Sequence, residues 1–507
     1  MYLMGIDVGT SGVKVILIGE NGALVAEANR SYPIHSPFPS WFEQHPRDWW
    51  NATVEAIHSL LADRRVKTSD IAGVGLSGQY HGLVILDGDH QVLRPAILWN
   101  DQRTARQSEI IVRKVGREKL LTIAATAGAP YFTACKLQWV RDNEPEIYER
   151  VRSMMLPKDY IRFKLTGELA TDVTDASGTM FLDVRRRRWS EDVPRLLDVD
   201  AAVLPRVVES PEISGRISGG AAGETGLPQG IPVAGGAGDQ AAAAVGNGIV
   251  KEGLLTYSIG TSGVIYAATE TVKVDEAGRY NTFCHAVPGT WCQLACINAA
   301  AGSYQWLQEK LADAEREEAR RRGLSVYQVL EEEAASVPIG SDKLIFLPYL
   351  AGERHPHTDT NARGVFMGLH TGHSRPHLVR AVLEGVAYSF RDCLEVMKAH
   401  GVAVNEIRAT GGGAQSPLWM DIQVNVSGEP IVTMGADTGG AAFGACILGG
   451  VAAGVFSDVR EACAALVKTA GRREPDARKQ AEYEKYFRFF QTLYPLLKDS
   501  YARLAGI

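Results

Sequence analysis

The sequence predicts an α/β protein made of two duplicated halves with a central ligand cleft between them. Two observations lead there. Apolar strand-like runs alternate with helix-like runs along the chain, the signature of an α/β architecture. The chain also repeats itself. Gly9-Thr10-Ser11-Gly12-Val13 returns as Gly260-Thr261-Ser262-Gly263-Val264, and Asp239-x-x-x-Ala243-Ala244-x-Gly246 returns as Asp437-x-x-x-Ala441-Ala442-x-Gly444. Short glycine–alanine matches are cheap by chance; two in the same order at comparable places are not. The boundary falls near Gly246 to Gly253, which gives halves of residues 1–248 and 249–507. A chain of 507 residues is also too long for one ordinary core.

The elements follow in order. Leu3–Asp7 and Val13–Ile18 read as strands around the first Gly-Thr-Ser turn. Asn21-Gly22 is a hairpin signal leading into a strand near Leu24–Ala28. Pro46 opens a helix on which Trp49, Trp50, Val54, Ile57, Leu60 and Leu61 share a core face. Ile71–Leu76 is a buried strand ending at Ser77-Gly78-Gln79-Tyr80-His81-Gly82. Each repeated Asp-to-Gly segment reads as a small-residue helix that lets another backbone come close. From Arg472 to Leu504, Tyr483, Tyr486, Phe487, Phe490, Leu493 and Leu497 recur at helical spacing, an amphipathic closing helix.

Composition narrows the function classes. Hydrophobic residues make up 45% and charged residues 22%, and the formal net charge is -6, so no bulk basic surface favours nucleic acid. The run Arg185–Arg188 reads as a solvated turn. Seven cysteines show no disulfide framework, and Cys284, Cys292 and Cys296 match no zinc spacing; buried free thiols are expected. No signal peptide and no membrane-length apolar stretch is apparent, so the expected setting is cytoplasmic, with no membrane partner.

Several residues are candidates for chemistry. A Gly-Thr-Ser turn between strands exposes backbone N–H groups and two hydroxyls, and can hold phosphate oxygens. Two such turns on facing halves suggest a polyphosphate clamp, although any hairpin can use this sequence. The copies differ at one place: Asp7 stands where the second copy has Ser258. A carboxylate beside one turn only suggests a Mg²⁺ role through water, the alternative being a turn cap. Asp239 follows the apolar strand Ile231–Ala234 at the start of a small-residue helix. It reads as a helix N-cap or as a general base at a strand end facing the cleft. Gln79 and His81 lie on a glycine-flanked loop after a strand, a ligand-facing or merely structural place. Asp101 and Arg103 touch substrate or, more simply, pair with each other. Gly411-Gly412-Gly413 bridges a strand and a helix and permits flat contact with a base or ribose.

These residues together resemble the FGGY carbohydrate kinases of the actin-like ATPase superfamily, and within them the xylulokinases. The resemblance spans nearly the whole chain. It rests on Asp7 to Lys14, Glu43 to Pro46 with Trp49-Trp50, Gly78 to Gly82 and Leu156 to Tyr160. It continues through Gly238-Asp239, Ser258 to Gly263, Phe283 to Ala286, Leu347 to Arg354 and Gly411 to Ala414. It implies two ribonuclease-H-like domains and a carbohydrate kinase using ATP and Mg²⁺. The implied reaction is phosphorylation of the terminal hydroxyl of a small sugar, D-xylulose to D-xylulose 5-phosphate.

The resemblance also implies roles. Asp239 is the base, Asp7 a catalytic and metal residue, and Gln79, Tyr80, His81 and Gln240 join Asp239 on the sugar. Gly9, Thr10, Ser11, Lys14, Gly260, Thr261, Ala301, Gln305, Gly412 and Gly413 are expected on the nucleotide. Xylulokinases often carry Met where this chain has Tyr80. Alternatives are an FGGY kinase of another ketose or polyol, such as ribulose or an erythritol-type substrate, and a non-catalytic actin-like sensor. A regulator would need a helix-turn-helix before the strand that begins at residue 3. A homodimer is one assembly the sequence allows without specifying it.

Overall fold

A computed structural model describes all residues except Arg64, Ala436 and Asp437. Two seven-stranded sheets form its frame. In the first, the order is Ile213–Arg216, Pro232–Ala234, Ile71–Gly78, Tyr2–Val8, Gly12–Gly19, Leu24–Ser31, with Ala237–Gly238 also pairing Ile71–Gly78. In the second, it is Asn281–Cys284, Trp291–Ile297, Gly263–Thr269, Gly253–Ile259, Val404–Thr410, Ile431–Met434, Thr469–Arg473.

The duplication is visible strand by strand. In each sheet the strand before the Gly-Thr-Ser turn pairs antiparallel with the strand after it and parallel with a strand farther along. Asp7 lies beside Ser77, and Ser258 beside Thr410, so the two positions are equivalent in register. The second sheet adds an edge strand, Asn281–Cys284, that the first lacks.

Small residues interlock the halves. The helix Ala441–Ala452 belongs to the second repeat but lies on the first sheet. A Cβ at Gly5 would stand 2.0 Å from the Ala442 carbonyl oxygen, and one at Gly75 1.8 Å from that of Ala445. The two repeated helices cross at equal closeness: a Cβ on Gly444 would stand 1.8 Å from the Ala242 carbonyl oxygen, and one on Gly246 2.3 Å from that of Gly440. The close approach expected of these helices is therefore present, and only glycine permits it. Asp437, the twin of Asp239, lies outside the described residues.

Trp49 and Trp50 are buried as expected, with their indole N–H groups donating to Gln44 Oε1 and Glu224 Oε2. The closing helix begins later than the sequence suggested. It spans Ala477–Ala505, because Arg472 and Arg473 belong to the edge strand Thr469–Arg473. Cys284 and Cys292 are buried, whereas Cys296 is partly open. No described helix is long and apolar enough to cross a membrane.

Candidate active site

Two cavities meet at one residue pair. The first, of about 370 Å³, is walled by Tyr80, His81, Trp99 and Tyr131 from the first half and by Asn281, Phe283, Cys296 and Arg354 from the second. The other, of about 590 Å³, is lined by Asp7, Asn247, Ser258, Thr410, Gly411, Gln415 and the segment around Gly435 and Gly439. Asp239 and Gln240 line both. A larger space of about 630 Å³ lies elsewhere, among Glu118, Lys119, Asp183, Arg185, Arg186 and Arg188. Carboxylates stand among its basic groups, and the residues of both repeats are absent from it.

Asp239 is the first residue of the helix Asp239–Gly246, so its backbone sits where the strand Ala237–Gly238 hands over to the helix. The N-cap reading is corrected here: Gly238 occupies the cap position and makes no side-chain cap. The Asp239 carboxylate takes its hydrogen bonds from Gln240 alone, with the N–H at 2.7 Å. Burial, then the charge of Asp7, push its carboxyl up to about 7. That range suits a group that must accept a proton near neutrality.

Asp7 is also held above the usual carboxylate range, by burial, with Ser77 and Lys14 working the other way. One of its oxygens, Oδ1, is buried without a hydrogen-bond partner. Two neighbouring carboxylates, one with an orphaned oxygen, fit a divalent cation held partly by water and phosphate oxygens. Among the described residues no group of three His, Cys, Asp or Glu forms a full protein cage, and Mg²⁺ does not require one.

On the first cavity, His81 adopts a left-handed backbone, φ 65°. Its Nδ1 lies 2.8 Å from the Gly178 carbonyl. Nδ1 therefore carries the proton and Nε2 is left as an acceptor. Burial lowers its pKa to about 3, so the ring is neutral. The Tyr80 ring stacks near Phe283 at 5.9 Å between centroids. Its bulk is accommodated by Gly238, where a Cβ would fall 2.3 Å from Tyr80 Cζ. Tyr80 and Gly238 thus fit as a pair.

Other expected residues stand differently. Gln79 lies behind the first turn, with Nε2 donating to Gln44 Oε1 at 3.0 Å and to the Gly9 carbonyl at 3.4 Å. The same turn is braced by Gln44 Nε2 on the Thr10 carbonyl and Trp99 Nε1 on Thr10 Oγ1. Ser11 lies at the turn's exposed tip. Lys14 is tied to Glu27 at 2.9 Å on the surface. Ala301 N–H already donates to the Gly260 carbonyl, and Gly302 N–H to that of Thr261. Gln305 is bonded to Glu309 on an exposed helix face. Of the glycine pair, Gly413 packs on Ile259 and Trp419, while Gly412 borders open space. Asp101 and Arg103 form a two-point ion pair, with Nη2–Oδ2 2.7 Å and Nε–Oδ1 2.9 Å.

The sequence reading missed Trp99, Tyr131, Asn281 and Arg354 as cavity walls. It also missed Asn247, Thr433 to Gly435 and Thr438 to Gly440 on the second cavity. Phe283 and Arg354 stand within motifs noted above, but nothing in their spacing pointed to a role.

Comparison with known proteins bears on the fold and the family. Residues 2–246 match the model of the FGGY family of carbohydrate kinases, N-terminal domain, and residues 255–453 that of its C-terminal domain. The xylulose kinase of Escherichia coli K12 is 37% identical over 98% of this chain and 100% of its own length. The gluconokinase of Bacillus subtilis is 30% identical over 99% of this chain and 98% of its own. The crystal structure of the xylulose kinase from Rhodospirillum rubrum superposes with a TM-score of 0.90 at 31% identity, covering 99% of this chain and 100% of that one. With family models over both halves and full-length relatives above the 30% level, this chain belongs to the FGGY family of carbohydrate kinases.

Proposed function

We propose that this kinase transfers the γ-phosphoryl group of ATP to the terminal hydroxyl of D-xylulose, giving D-xylulose 5-phosphate and ADP. The observation that carries the reading is Asp239, which faces both cavities at once. The sugar sits in the cavity of Tyr80 and His81, within the half 1–248 plus the walls lent by 249–507. The triphosphate sits in the cavity of Asp7, Ser258 and Gly411. The sugar choice rests on relatives named xylulose kinases, at 37% and 35% identity.

The transfer relies on alignment and charge stabilisation more than on covalent help from the protein. Asp239 accepts the proton of the attacking hydroxyl while that oxygen bonds to phosphorus and the bond to the ADP oxygen breaks. His81 Nε2 accepts from a sugar hydroxyl and orients it. The Gly9 and Gly260 turns supply N–H groups and hydroxyls of Thr10, Ser11 and Thr261 to phosphate oxygens. Asp7, with its unpartnered Oδ1, would hold Mg²⁺, and the ion would supply charge neutralisation to the phosphates. Lys14, Ala301, Gln305, Gly412 and Gly413 are assigned to the nucleotide by the family resemblance alone; none of them lines the second cavity, which Gly411, Ala414 and Gln415 reach instead.

A second reading has one observation in its favour. Arg354 lines the sugar cavity, its guanidinium 4.9 Å over the Tyr131 ring. Among the described residues it has no carboxylate within ion-pair reach. The carboxyl of adjacent Glu353 is raised to about 8, chiefly by burial, and so offers little negative charge near neutrality. A lone cation on that wall favours a sugar acid, the substrate class of the relative named gluconokinase. ADP release across xylulose, ribulose, polyols and gluconate separates the readings.

A further inference from the structure

Five charged side chains lie fully buried behind the sugar cavity: Lys158, Asp159, Arg162, Asp172 and Asp175. Lys158 Nζ stands 2.7 Å from Asp159, 2.8 Å from Asp172 and 2.9 Å from Asp175. Two cations face three carboxylates, and burial raises the Asp175 carboxyl to about 8, so that it keeps its proton near neutrality and the cluster carries no net charge. Its outlet points toward the active site. Asp172 Oδ2 accepts from the Thr174 hydroxyl at 2.7 Å and from Ser210 Oγ at 2.8 Å. The Thr174 hydroxyl has thereby spent its proton, and its oxygen accepts the Gly238 N–H at 2.9 Å. Gly238 is the residue directly before Asp239.

The Asp239 carboxylate has no partner beyond Gln240 and no ion pair among the described residues. Its position is therefore set through its backbone. That backbone is gripped on three sides at Gly238: by the strand Ile71–Gly78, by the Tyr80 ring, and by Thr174. Of the three grips, Thr174 is the one whose direction is fixed by buried charge.

We propose that Thr174 is a positioning residue for Asp239: its hydroxyl, aimed by Asp172 and Lys158, fixes the Gly238 peptide and so the place of the carboxylate between the two cavities. The inference rests on Asp239 being the base of the kinase reaction. A displacement of the order of 1 Å can cost a hundredfold in rate without weakening substrate binding.

The test is steady-state kinetics on Thr174→Val, Thr174→Ser and the wild-type enzyme, with thermal unfolding of each. Val matches the shape of Thr but cannot accept from Gly238; Ser keeps the hydroxyl. Expected is a fall in kcat of about ten- to a hundredfold for Val, with sugar and ATP KM little changed, and recovery to within about threefold for Ser. A Val variant that folds with wild-type kcat overturns the proposal. So does a Ser variant that folds but stays as slow as Val, since the hydroxyl would then not be the operative group. If Val does not fold, Thr174→Ala takes its place: a folded Ala variant with wild-type kcat overturns the proposal, and a slow Ala variant beside a near-normal Ser variant supports it. Should wild-type enzyme release no ADP with any sugar, the kinase reading fails first, a result distinct from all of these.

Discussion

Asp7 and Asp239 line the same cavity from the ends of the two strands that flank Ile71–Gly78, and the charge of Asp7 is one of the two causes that hold the Asp239 carboxyl at about 7. The pair has a direct consequence. Asp7→Asn removes the like charge, so the Asp239 carboxyl falls toward its ordinary range. In the residual activity of that variant, the acid limb of kcat/KM moves to lower pH than in the wild-type enzyme. A pH–rate profile of both proteins checks it; an unmoved limb contradicts the coupling. The variant also demands more Mg²⁺ for half-maximal rate.

The same raised carboxyl makes a stability prediction. Asp239 has an ordinary value of 3.8 and stands at about 7 in the fold. Its folded value is above its unfolded one, so its contribution is fully present below about pH 4 and is lost as pH rises through about 7. Asp239→Asn does not titrate. The variant therefore gains stability relative to wild type between pH 4 and pH 7, read by denaturant unfolding at several pH values. A stability difference that stays flat across that range contradicts the assignment.

Arg354 gives a prediction on substrate choice. Its guanidinium sits over Tyr131 with no carboxylate paired to it among the described residues. Arg354→Met keeps the length of the side chain but removes the charge. For a sugar acid, loss of a charge-assisted contact costs about 1.5–3 kcal/mol, about ten- to a hundredfold in kcat/KM. For a neutral ketose the loss is smaller. Measuring xylulose and gluconate side by side reads the difference.

The crossing of the two repeated helices is testable by a single methyl group. Gly444→Ala places a Cβ against the Ala242 carbonyl oxygen, at 1.8 Å before any relaxation. The gain in helix propensity is about 1 kcal/mol, and the overlap outweighs it, since backbone rather than a flexible side chain must move. A net loss of about 1–3 kcal/mol is expected in thermal unfolding. Gly412→Ala, which meets nothing within 4 Å, is the matched control for stability.

Much of the frame was legible in the sequence, for physical reasons. The two Gly-Thr-Ser turns and the Asp-to-Gly helices marked the duplication, and the matching strand orders bear it out. The place of Asp239 facing the cleft was legible because a carboxylate after an apolar strand, at the start of a helix, has few places to point. What was not legible depends on contacts between segments far apart in sequence. Gly5 and Gly75 look like weak points in strands until a helix from the other repeat is laid across them. Arg354, Phe283 and Tyr131 become one wall only when the second sheet's edge meets the first half. Thr174 is an ordinary helix residue in the sequence, and its link to Gly238 spans 64 positions. Gln79 was expected on the sugar because it shares a glycine-flanked loop with His81; a separation of two residues along a turning loop sends it to the back of the Gly9 turn.

The central claim is that Asp239 is the base of a sugar phosphorylation in the joint between two cavities. Its most direct test is ADP release with ATP, Mg²⁺ and D-xylulose, for the wild-type protein and for Asp239→Ala. Expected is xylulose-stimulated release by the wild-type protein, and a loss of about two to four orders of magnitude in the variant with ATP still bound. Near-normal turnover in Asp239→Ala, or no stimulation of the wild-type protein by any sugar, would contradict it.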